Sequence, residues 1–600
     1  LGIEVGGVGA MTQKLREQRF GSPLRRWLGD LARDVRRACR QGVRAPAVPF
    51  VAVLTLGLGI GAAAAMFGLI QGVLLTPPPY ANPDRLVLVT PARLDGVAYD
   101  RRPTTAQWLA WRDAARGVDM ALYGWTFNYL VRPDGSLPVA GMMVTPNYFE
   151  VLGLAPVRGR TFLESEAAGG GPPTAIILGY ELWQRRFGGD PDIIGKSVVI
   201  TRVPVPVPVV GVMPPGVRFL PDPASATEPG YDPHAPVDFW VAGRIDESQL
   251  LARDGNVVGR LAPGMSVSSV DATVSAVTAR QRATDPSLDG LTATARPLLE
   301  VTNEEGRRLL MPLLGAVVLV FVIACANVAG LLLARGLHRQ GDYVLQAALG
   351  ASWQRLFRQA LTESLVLAVA GAVAGAACAV GMVTLFLKVG QQALPHADAV
   401  SAGWPVLAVC ALLAPLAAAA AGVVPAARAA FAGRTIGLAS TRTTATPRER
   451  RLLGAVAVAQ VVLTIGLLAG AALLVRTARH LASVQPGYDT SHILTMSVAA
   501  LQGDGWQRFH TVALERVSAL PGVRHAAFAW GLPLTGNNWP ATLAIVGNGD
   551  GARLADRIDV PLRAVTPDYF AAMRMGLFDG RAFRDADDRD APLVAIVNRA

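Results

Sequence analysis

The run VPFVAVLTLGLGIGAAAAMFGLIQGVLL, residues Val48–Leu75, decides the fold class of this chain. It contains no charged residue and is longer than the ~20 residues that a helix needs to cross ~30 Å of hydrocarbon. Four more uncharged runs meet the same criterion, at Leu309–Ala334, Ser364–Leu387, Trp404–Ala427 and Leu452–Val475. The sequence therefore predicts an α-helical membrane protein with five transmembrane helices.

Composition and charge placement agree with this prediction. Only 17% of the residues are charged, against about a quarter in soluble domains. The net charge of +11 is concentrated before the first run, between the second and third, and between the fourth and fifth. By the positive-inside rule these segments are cytoplasmic. We expect a multi-pass protein of the inner (plasma) membrane with a cytoplasmic N-terminus, and this alternation argues against nucleic-acid binding.

Three residues inside the runs are candidates for helix packing. Gly57 and Gly61 are four residues apart, which leaves one helix face without side chains and lets another helix approach closely. The same stretch matches G-x-G-x-x-A, but a dinucleotide site needs a preceding strand. Asn327 is an amide within the second run, and such amides commonly form hydrogen bonds between helices.

The sequence offers no signal for chemistry. It contains neither C-x-x-C nor H-E-x-x-H, so we expect no metal site and no cofactor. The carboxylates of the segments between the runs are scattered without a convergent partner, and we expect no enzyme activity. The first methionine is Met11, so the start of the protein stays open, and the Val48–Leu75 run resembles a retained anchor rather than a cleaved signal.

The stretch GGDPDIIGKSVV, Gly188–Val199, approaches a phosphate-binding loop but does not match one. A P-loop places a glycine five positions before the Gly-Lys-Ser element, and that position is Asp190. Two aspartates would also repel a phosphate. We interpret the stretch as a solvated turn that leads into a strand.

A repeat organises the chain. VTPNYFEVLGLAPVRGRTF begins at Val144, and VTPDYFAAMRMGLFDGRAF begins at Val565, an offset of 421 without a gap. A basic segment and an uncharged run precede each copy. The pattern predicts two tandem units of one transmembrane helix, an outer domain and three transmembrane helices, with the second unit truncated in this sequence.

The first outer domain is predicted to be α+β. Short β-branched stretches such as TAIILGY (Thr174–Tyr180) and SVVITRV (Ser197–Val203) are typical of strands. TTAQWLAWRDAA (Thr104–Ala115) and VSSVDATVSAVTARQRA (Val267–Ala283) have helical spacing. Three prolines exclude VPVPVPV (Val203–Val209) from a central strand and leave an edge strand or a hairpin arm.

The chain resembles the MacB/FtsX-type ABC transporter permeases. LTLGLGIGAAAAMFGLIQGVLLTPPPYANPDRLV (Leu54–Val87) and ACANVAGLLLARG (Ala324–Gly336) are similar to their first and second spans. ALGASWQRLFRQALTESL (Ala348–Leu365) is similar to their cytoplasmic elbow, and VVGVMPPG (Val209–Gly216) to their periplasmic core domain. The duplication resembles the "orphan" permeases that carry two units and no fused ATPase.

The charge pattern and the resemblance together imply the following organisation: a cytoplasmic basic amphipathic N-terminal segment 1–47, a transmembrane helix 48–75, a MacB-like periplasmic core domain 76–307, an FtsX-like permease domain 309–427 with transmembrane helices two to four, a cytoplasmic linker 428–451, a transmembrane helix 452–475 and a second, incomplete core domain 480–600. It also implies a separate cytoplasmic ABC-type ATPase as partner, with membrane lipid and with periplasmic or outer-membrane export components.

The elbow is the candidate coupling site. Its predicted residues are Ala348, Leu349, Gly350, Ala351, Trp353, Leu356, Phe357 and Glu363. Trp353, Leu356 and Phe357 form an apolar stripe on a short basic helix, which fits either a groove of an ATPase or a lipid surface. Glu363 is interpreted either as a solvated end residue or as an ion-pair partner of Arg355 or Arg358.

Two functions remain open at this point. The first is a permease subunit that transmits ATPase-driven conformational change to periplasmic domains, in efflux or envelope export. Asp342 and Gln346 stand where the family usually has an acidic residue and an arginine, which weakens the expected ATPase contact. The alternative is a membrane-anchored binding or sensory protein that works without an ATPase.

Overall fold

The computed structural model describes residues 23–76, 78–96, 99, 101–132, 135–167, 173–200, 203–222, 232, 235–243, 255–285, 288–390, 403–432, 447–484, 487–488, 492–496, 505–531, 539–544, 557–587 and 591–598. The chain divides into two compact units, which we describe separately. The helical unit comprises Leu1–Thr76 and Gly306–Ala482, and the mixed unit comprises Pro77–Glu305 and Ser483–Ala600.

The helices are numbered in chain order. They are α1 Pro23–Arg44, α2 Ala47–Ile70, α3 Thr105–Ala114, α4 Tyr148–Leu152, α5 Glu164–Ala167, α6 Tyr180–Phe187, α7 Val267–Arg282, α8 Leu298–His338, α9 Gln340–Ala348, α10 Trp353–Gly390, α11 Trp404–Ala432, α12 Pro447–Ser483, α13 Gly505–Ser518 and α14 Tyr569–Ala572.

The strands follow the same convention. They are β1 Leu86–Arg93, β2 Val118–Arg132, β3 Gly135–Val144, β4 Arg158–Gly159, β5 Ile176–Leu178, β6 Ser197–Ile200, β7 Val203–Val212, β8 Phe239–Ala242, β9 Asn256–Leu261, β10 Leu291–Pro297, β11 Trp539–Ala544 and β12 Arg557–Leu562.

Five helical segments of the described chain are long and apolar enough to cross a membrane: Ala47–Leu75, Gly306–Gly336, Trp353–Lys388, Trp404–Arg428 and Ala457–Leu481. They correspond to the five uncharged runs, so the predicted α-helical membrane fold is confirmed. The first ends in a π-helical turn, Gln71–Leu75. The third begins at Trp353, ahead of the run that starts at Ser364, because its first turns carry charged residues that a search for uncharged runs leaves out.

A single apolar core holds the first four of these segments together. Small residues make up much of it, such as Ala52 and Ala64 of α2, Ala368 of α10 and Ala417 of α11, all fully or almost fully buried. Small side chains let helix backbones approach closely, which is how helices pack inside a membrane. By contrast, the apolar segment of α12 has no buried residues within its unit.

The first α+β domain is built on one mixed sheet. Its strand order is β10-β1-β9-β2-β3-β8-β5-β7-β4, and β6 pairs with both β2 and β7. The second pairing of β6 closes β2, β3, β8, β5, β7 and β6 into a six-stranded barrel. Leu130, Ile176, Val207 and Phe239 of its strands are buried in one apolar cluster, and Gly141 leaves room for the Phe239 ring.

Two helices cover one face of the open part of the sheet. Trp111 of α3 donates a hydrogen bond from Nε1 to Oγ1 of Thr278 on α7, at 2.9 Å. Val270, Val274 and Val277 of α7 are buried in the same cluster. Both helices and their apolar spacing were predicted from the sequence, and both predictions are confirmed.

The proline-rich strand is a hairpin arm, one of the two placements that the sequence allowed. Val203–Pro208 of β7 pairs with β6 alone, and β5 joins only from Val209 onward. The turn before β6 is formed by Gly188–Lys196, and the Lys196 ammonium pairs with the Asp190 carboxylate. This ion pair lowers the pKa of Asp190 and occupies the lysine that a phosphate would need, so the turn interpretation holds.

The two copies of the repeated sequence share their local contacts. Thr145 Oγ1 accepts a hydrogen bond from Leu122 N at 3.1 Å, and Thr566 Oγ1 accepts one from Phe528 N at 3.0 Å. Each threonine is followed by a short helix, α4 or α14, with the same T-shaped Tyr–Phe ring contact. A different residue follows each helix, Gly153 in the first copy and Arg574 in the second, but both adopt a left-handed conformation.

An ion pair closes each copy. Arg160 contacts both carboxylate oxygens of Glu166 at 2.7 and 3.0 Å, and Arg581 contacts both of Asp587 at 2.8 and 2.7 Å. In each, the carboxylate also accepts a backbone N–H three residues earlier, at 2.8 Å. A difference follows downstream. VAIVN (Val594–Asn598) resembles TAIIL (Thr174–Leu178), which contains β5, but it forms no strand.

Candidate functional site

The elbow between α9 and α10 is compact. α9 ends at Ala348, and the chain turns through Leu349–Ser352 before α10 begins at Trp353. Gly350 has a φ of +92°, a left-handed conformation that glycine adopts without strain. The predicted short helix carrying Trp353 is therefore not separate. It is the first turn of the long helix α10, and the short helix of the elbow is α9.

The apolar residues of the elbow divide into a buried and an exposed set. Leu356 is 1% exposed and packs against Tyr343 of α9, so it belongs to the internal core of the elbow. Burial also raises the pKa of Tyr343. Leu345, Leu349 and Trp353 are 61%, 81% and 47% exposed. The apolar surface that the elbow presents thus differs from the predicted stripe, which included Leu356. Of the other predicted residues, Ala348 and Gly350 are exposed, while Ala351 and Phe357 are half-buried.

Glu363 connects α10 to the end of α8. Its Oε1 lies 3.1 Å from Nη1 of Arg335 and 3.3 Å from Nη1 of Arg339. The predicted partners, Arg355 and Arg358, are wrong. They lie eight and five residues from Glu363 on the same helix, whereas neighbours on one helix face lie three or four apart. Arg335 lies on α8, and Arg339 directly follows the last residue of that helix. The two arginines are four residues apart, and a carboxylate between them offsets their repulsion.

The helix α1 completes this polar cluster, which sequence reasoning did not identify. Asp34 pairs with Arg358 at 3.3 Å, and Gln41 accepts a hydrogen bond from Nη1 of Arg339 at 3.1 Å. The spacing of Arg335 and Arg339 was the signal available in the sequence, because two like charges on one helix face call for a counter-charge. Nothing in the sequence pointed to α1 as its neighbour.

The glycine face of α2 lies against α10. A Cβ added to Gly61 would lie 2.8 Å from the carbonyl oxygen of Gly375 and 2.9 Å from Cβ of Cys378. A Cβ on Gly57 would lie 3.1 Å from Cβ of Ala374. Only glycine permits the first of these approaches, and this is the close contact that the four-residue spacing predicts.

Asn327 lies on the exposed side of α8, away from the core of the helical unit. Its neighbours along the chain, Cys325 and Val328, face inward and are buried. The predicted interhelical hydrogen bond therefore stays a prediction, and it requires a partner outside this bundle.

The described residues contain no group of three or more His, Cys, Asp or Glu side chains that could hold a metal ion. The elbow instead combines a rigid polar cluster with an exposed apolar surface. This arrangement suits a protein contact or a lipid contact.

The fold and the five spans define a multi-pass membrane protein with an α+β domain. Residues 50–290 match the family model of the MacB-like periplasmic core domain, and residues 314–433 match that of the FtsX-like permease C-terminal region. The chain is a MacB/FtsX-type ABC transporter permease. None of the curated protein sequences compared with it gives a significant match.

Solved structures that match part of the chain include two extracellular or periplasmic regions. One is the extracellular domain of the noncanonic ABC-type transporter YknZ from Gram-positive bacteria, with 15% identity, a TM-score of 0.26, and coverage of 35% of this chain and 99% of that one. The other is the periplasmic region of MacB from Actinobacillus actinomycetemcomitans, with 11% identity, a TM-score of 0.26, and coverage of 39% and 94%.

Proposed function

We propose that this permease receives conformational change from a separate cytoplasmic ABC-type ATPase and transmits it to its α+β domains, in efflux or envelope export. The elbow is the proposed point of contact. The observation that carries the proposal is its exposed apolar surface, Leu345, Leu349 and Trp353, held on a polar cluster that ties three helices together.

The polar cluster gives the elbow its mechanical role in this proposal. Glu363 joins α10 to Arg335 of α8 and to Arg339, which directly follows α8, and Asp34 joins α1 to α10 through Arg358. A displacement of α9 would therefore be transmitted to the helices that enter the membrane, because the ion pairs connect these helices rigidly. Aromatic anchors commonly dominate such interfaces, and Trp353 is the candidate anchor.

The proposed orientation places the N-terminus, the elbow and the segment 428–451 in the cytoplasm. The positive-inside distribution of arginines supports it. The first α+β domain would then face the periplasm, in an inner membrane, together with the repeat after residue 480. The domain boundaries given by the sequence, 76–307 and 309–427 among them, belong to the same proposal.

We extend the proposal to the duplication. The shared contacts of the two copies support a second core domain, since the two-point ion pair and the threonine–backbone contacts recur at equivalent positions. The segment of α12 carries Gly466 and Gly470 in the same spacing as Gly57 and Gly61. In the proposed duplication, α12 is the counterpart of α2.

The test is co-purification in detergent from the native membrane. The full chain is expected to recover an ABC-type ATPase, and Leu349→Ser with Trp353→Ser is expected to lose it. A matched control is Leu94→Ser, which removes an exposed leucine, 60% exposed, from the α+β domain. Limited proteolysis of that domain reports whether each variant remains folded.

Three outcomes discriminate the hypotheses. Loss of the ATPase from the elbow variant alone supports the coupling role. Equal recovery from the elbow variant and the control removes the elbow from the mechanism. Recovery of no ATPase with any chain favours the binding or sensory protein. This outcome is worth testing because Gln346 stands where the family usually has an arginine.

A further inference from the structure

The helix α1 has three distinct sides. The side toward the helical unit carries Leu31, Asp34, Ala38 and Gln41, which are spaced three and four residues apart and half-buried. Asp34 and Gln41 contact Arg358 and Arg339 there. This side orients α1, and therefore determines what its other two sides present.

The second side is an arginine face. It consists of Arg33, Arg36, Arg37, Arg40 and Arg44, all exposed. The helix as a whole contains seven arginines and two aspartates, a net charge of +5. Asp34 points to Arg358 and so does not neutralise the arginine face. The face is a continuous stripe of positive charge along more than three turns of helix.

The third side is apolar and borders the arginines. Val35, Cys39 and Val43 are exposed on it, and Val43 is 82% exposed. The first membrane-spanning segment begins at Ala47, three residues after Arg44. The last turn of α1 is therefore within a few ångströms of the boundary where phospholipid headgroups lie.

We propose that the arginine face of α1 binds anionic phospholipid headgroups in the leaflet at which α2 enters the membrane, while the apolar side rests on the acyl boundary. A basic amphipathic helix in this position has the composition of an interfacial helix. Charge complementarity identifies the occupant, because phosphates are the anions present at that depth. This inference does not depend on an ATPase, so it can fail or succeed independently of the proposed function.

A second consequence concerns the elbow. The helix that binds the headgroups also holds Arg358 and Arg339 through Asp34 and Gln41. Headgroup binding would limit the motion of α1 and thus brace the polar cluster from the membrane side.

The experiment uses Cys39 as a native reporter. It is exposed on α1, while Cys325, Cys378 and Cys410 lie within membrane-spanning segments. The full chain is labelled at Cys39 with an environment-sensitive fluorophore and placed in nanodiscs of phosphatidylcholine, with or without phosphatidylglycerol. The expected result is a blue-shifted emission and weaker quenching by aqueous iodide with phosphatidylglycerol, both reversed by high salt because the attraction is electrostatic.

The matched variants carry equal changes of charge. Arg36→Gln, Arg40→Gln and Arg44→Gln together are expected to abolish the dependence on phosphatidylglycerol. Each arginine near an anionic surface changes partitioning by about fivefold, so three change it on the order of a hundredfold. Arg116→Gln, Arg280→Gln and Arg524→Gln, on the exposed surface of the α+β domains, should retain it.

Several results would overturn the inference. Identical fluorescence of the unmodified chain in both lipid compositions would overturn it. This result does not depend on whether the variants fold. Loss of the response in the control variant would assign it to net charge rather than to α1. A blue shift that appears only when an acidic cytosolic protein is added would assign the arginine face to a protein partner.

Discussion

Arg160 and Glu166 meet through two parallel N–H···O contacts, and Leu163 donates a third hydrogen bond to the same carboxylate. The hydrogen bonds from Arg160 are the main reason why the pKa of Glu166 is lowered, and the backbone N–H of Leu163 adds to this. The same arrangement at Arg581 lowers the pKa of Asp587 to about 2. The contacts thus favour the ionised carboxylate in the folded state of each copy.

The first prediction is a pH dependence. Because the folded pKa of Glu166 lies below its unfolded value of about 4.3, the stabilisation is present above pH 4.3 and is lost as pH falls through the folded pKa. Glu166→Gln should remove at most about 1 kcal/mol near neutral pH, since the pair is partly exposed. Thermal unfolding of the full chain in detergent, at neutral pH and near pH 3, measures this.

The control for this experiment is Glu164→Gln, an exposed glutamate on the same short helix. It should leave the acid sensitivity unchanged. If Glu166→Gln were as acid-sensitive as the unmodified chain, the ion pair would not contribute to stability.

The second prediction concerns the glycine face. Gly57→Leu with Gly61→Leu should destabilise the helical unit by roughly 1–3 kcal/mol or more, because leucine would overlap the backbone of α10. Gly381→Leu on α10, where an added Cβ meets nothing within 4 Å, is the matched control. Monodispersity and thermal stability in detergent are measured. Equal behaviour of both variants would contradict the packing role.

The third prediction tests orientation, starting from a Cys39→Ser background. Ser197→Cys at the first residue of β6 should react with an impermeant maleimide in intact spheroplasts, and Ser352→Cys in the elbow only after lysis. Both serines are exposed. Labelling of both on the same side of the membrane would rule out the proposed topology.

The sequence predicted what local patterns encode. Uncharged runs located the five spans, and valines at helical spacing located α7. The partners of Glu363 and the closure of the barrel by β6 were not predictable, because both depend on contacts between segments far apart in the chain. The pairing of Leu130 with Ile200, for example, joins strands whose sequences are equally compatible with an open sheet. For the elbow, the sequence revealed a stripe of apolar residues. It did not reveal that Leu356 is buried against Tyr343 of the preceding helix.

The last prediction concerns Glu363, whose two arginine partners are largely buried with it. Glu363→Gln should destabilise the helical unit by on the order of 2–3 kcal/mol, because it leaves Arg335 and Arg339 four residues apart without a counter-charge. Arg335→Gln alone should also destabilise it. The double variant should lose less unfolding free energy than the two single variants together. The reason is that each single variant leaves one buried charge without its partner, and the double variant removes both charges. Thermal unfolding in detergent gives the three free energies, and trypsin cleavage after Arg355 reports the looseness of the elbow. The losses of unfolding free energy could instead be additive, with trypsin cleaving Glu363→Gln as slowly as the unmodified chain. That result would show that the pair neither stabilises the unit nor holds the elbow to α8.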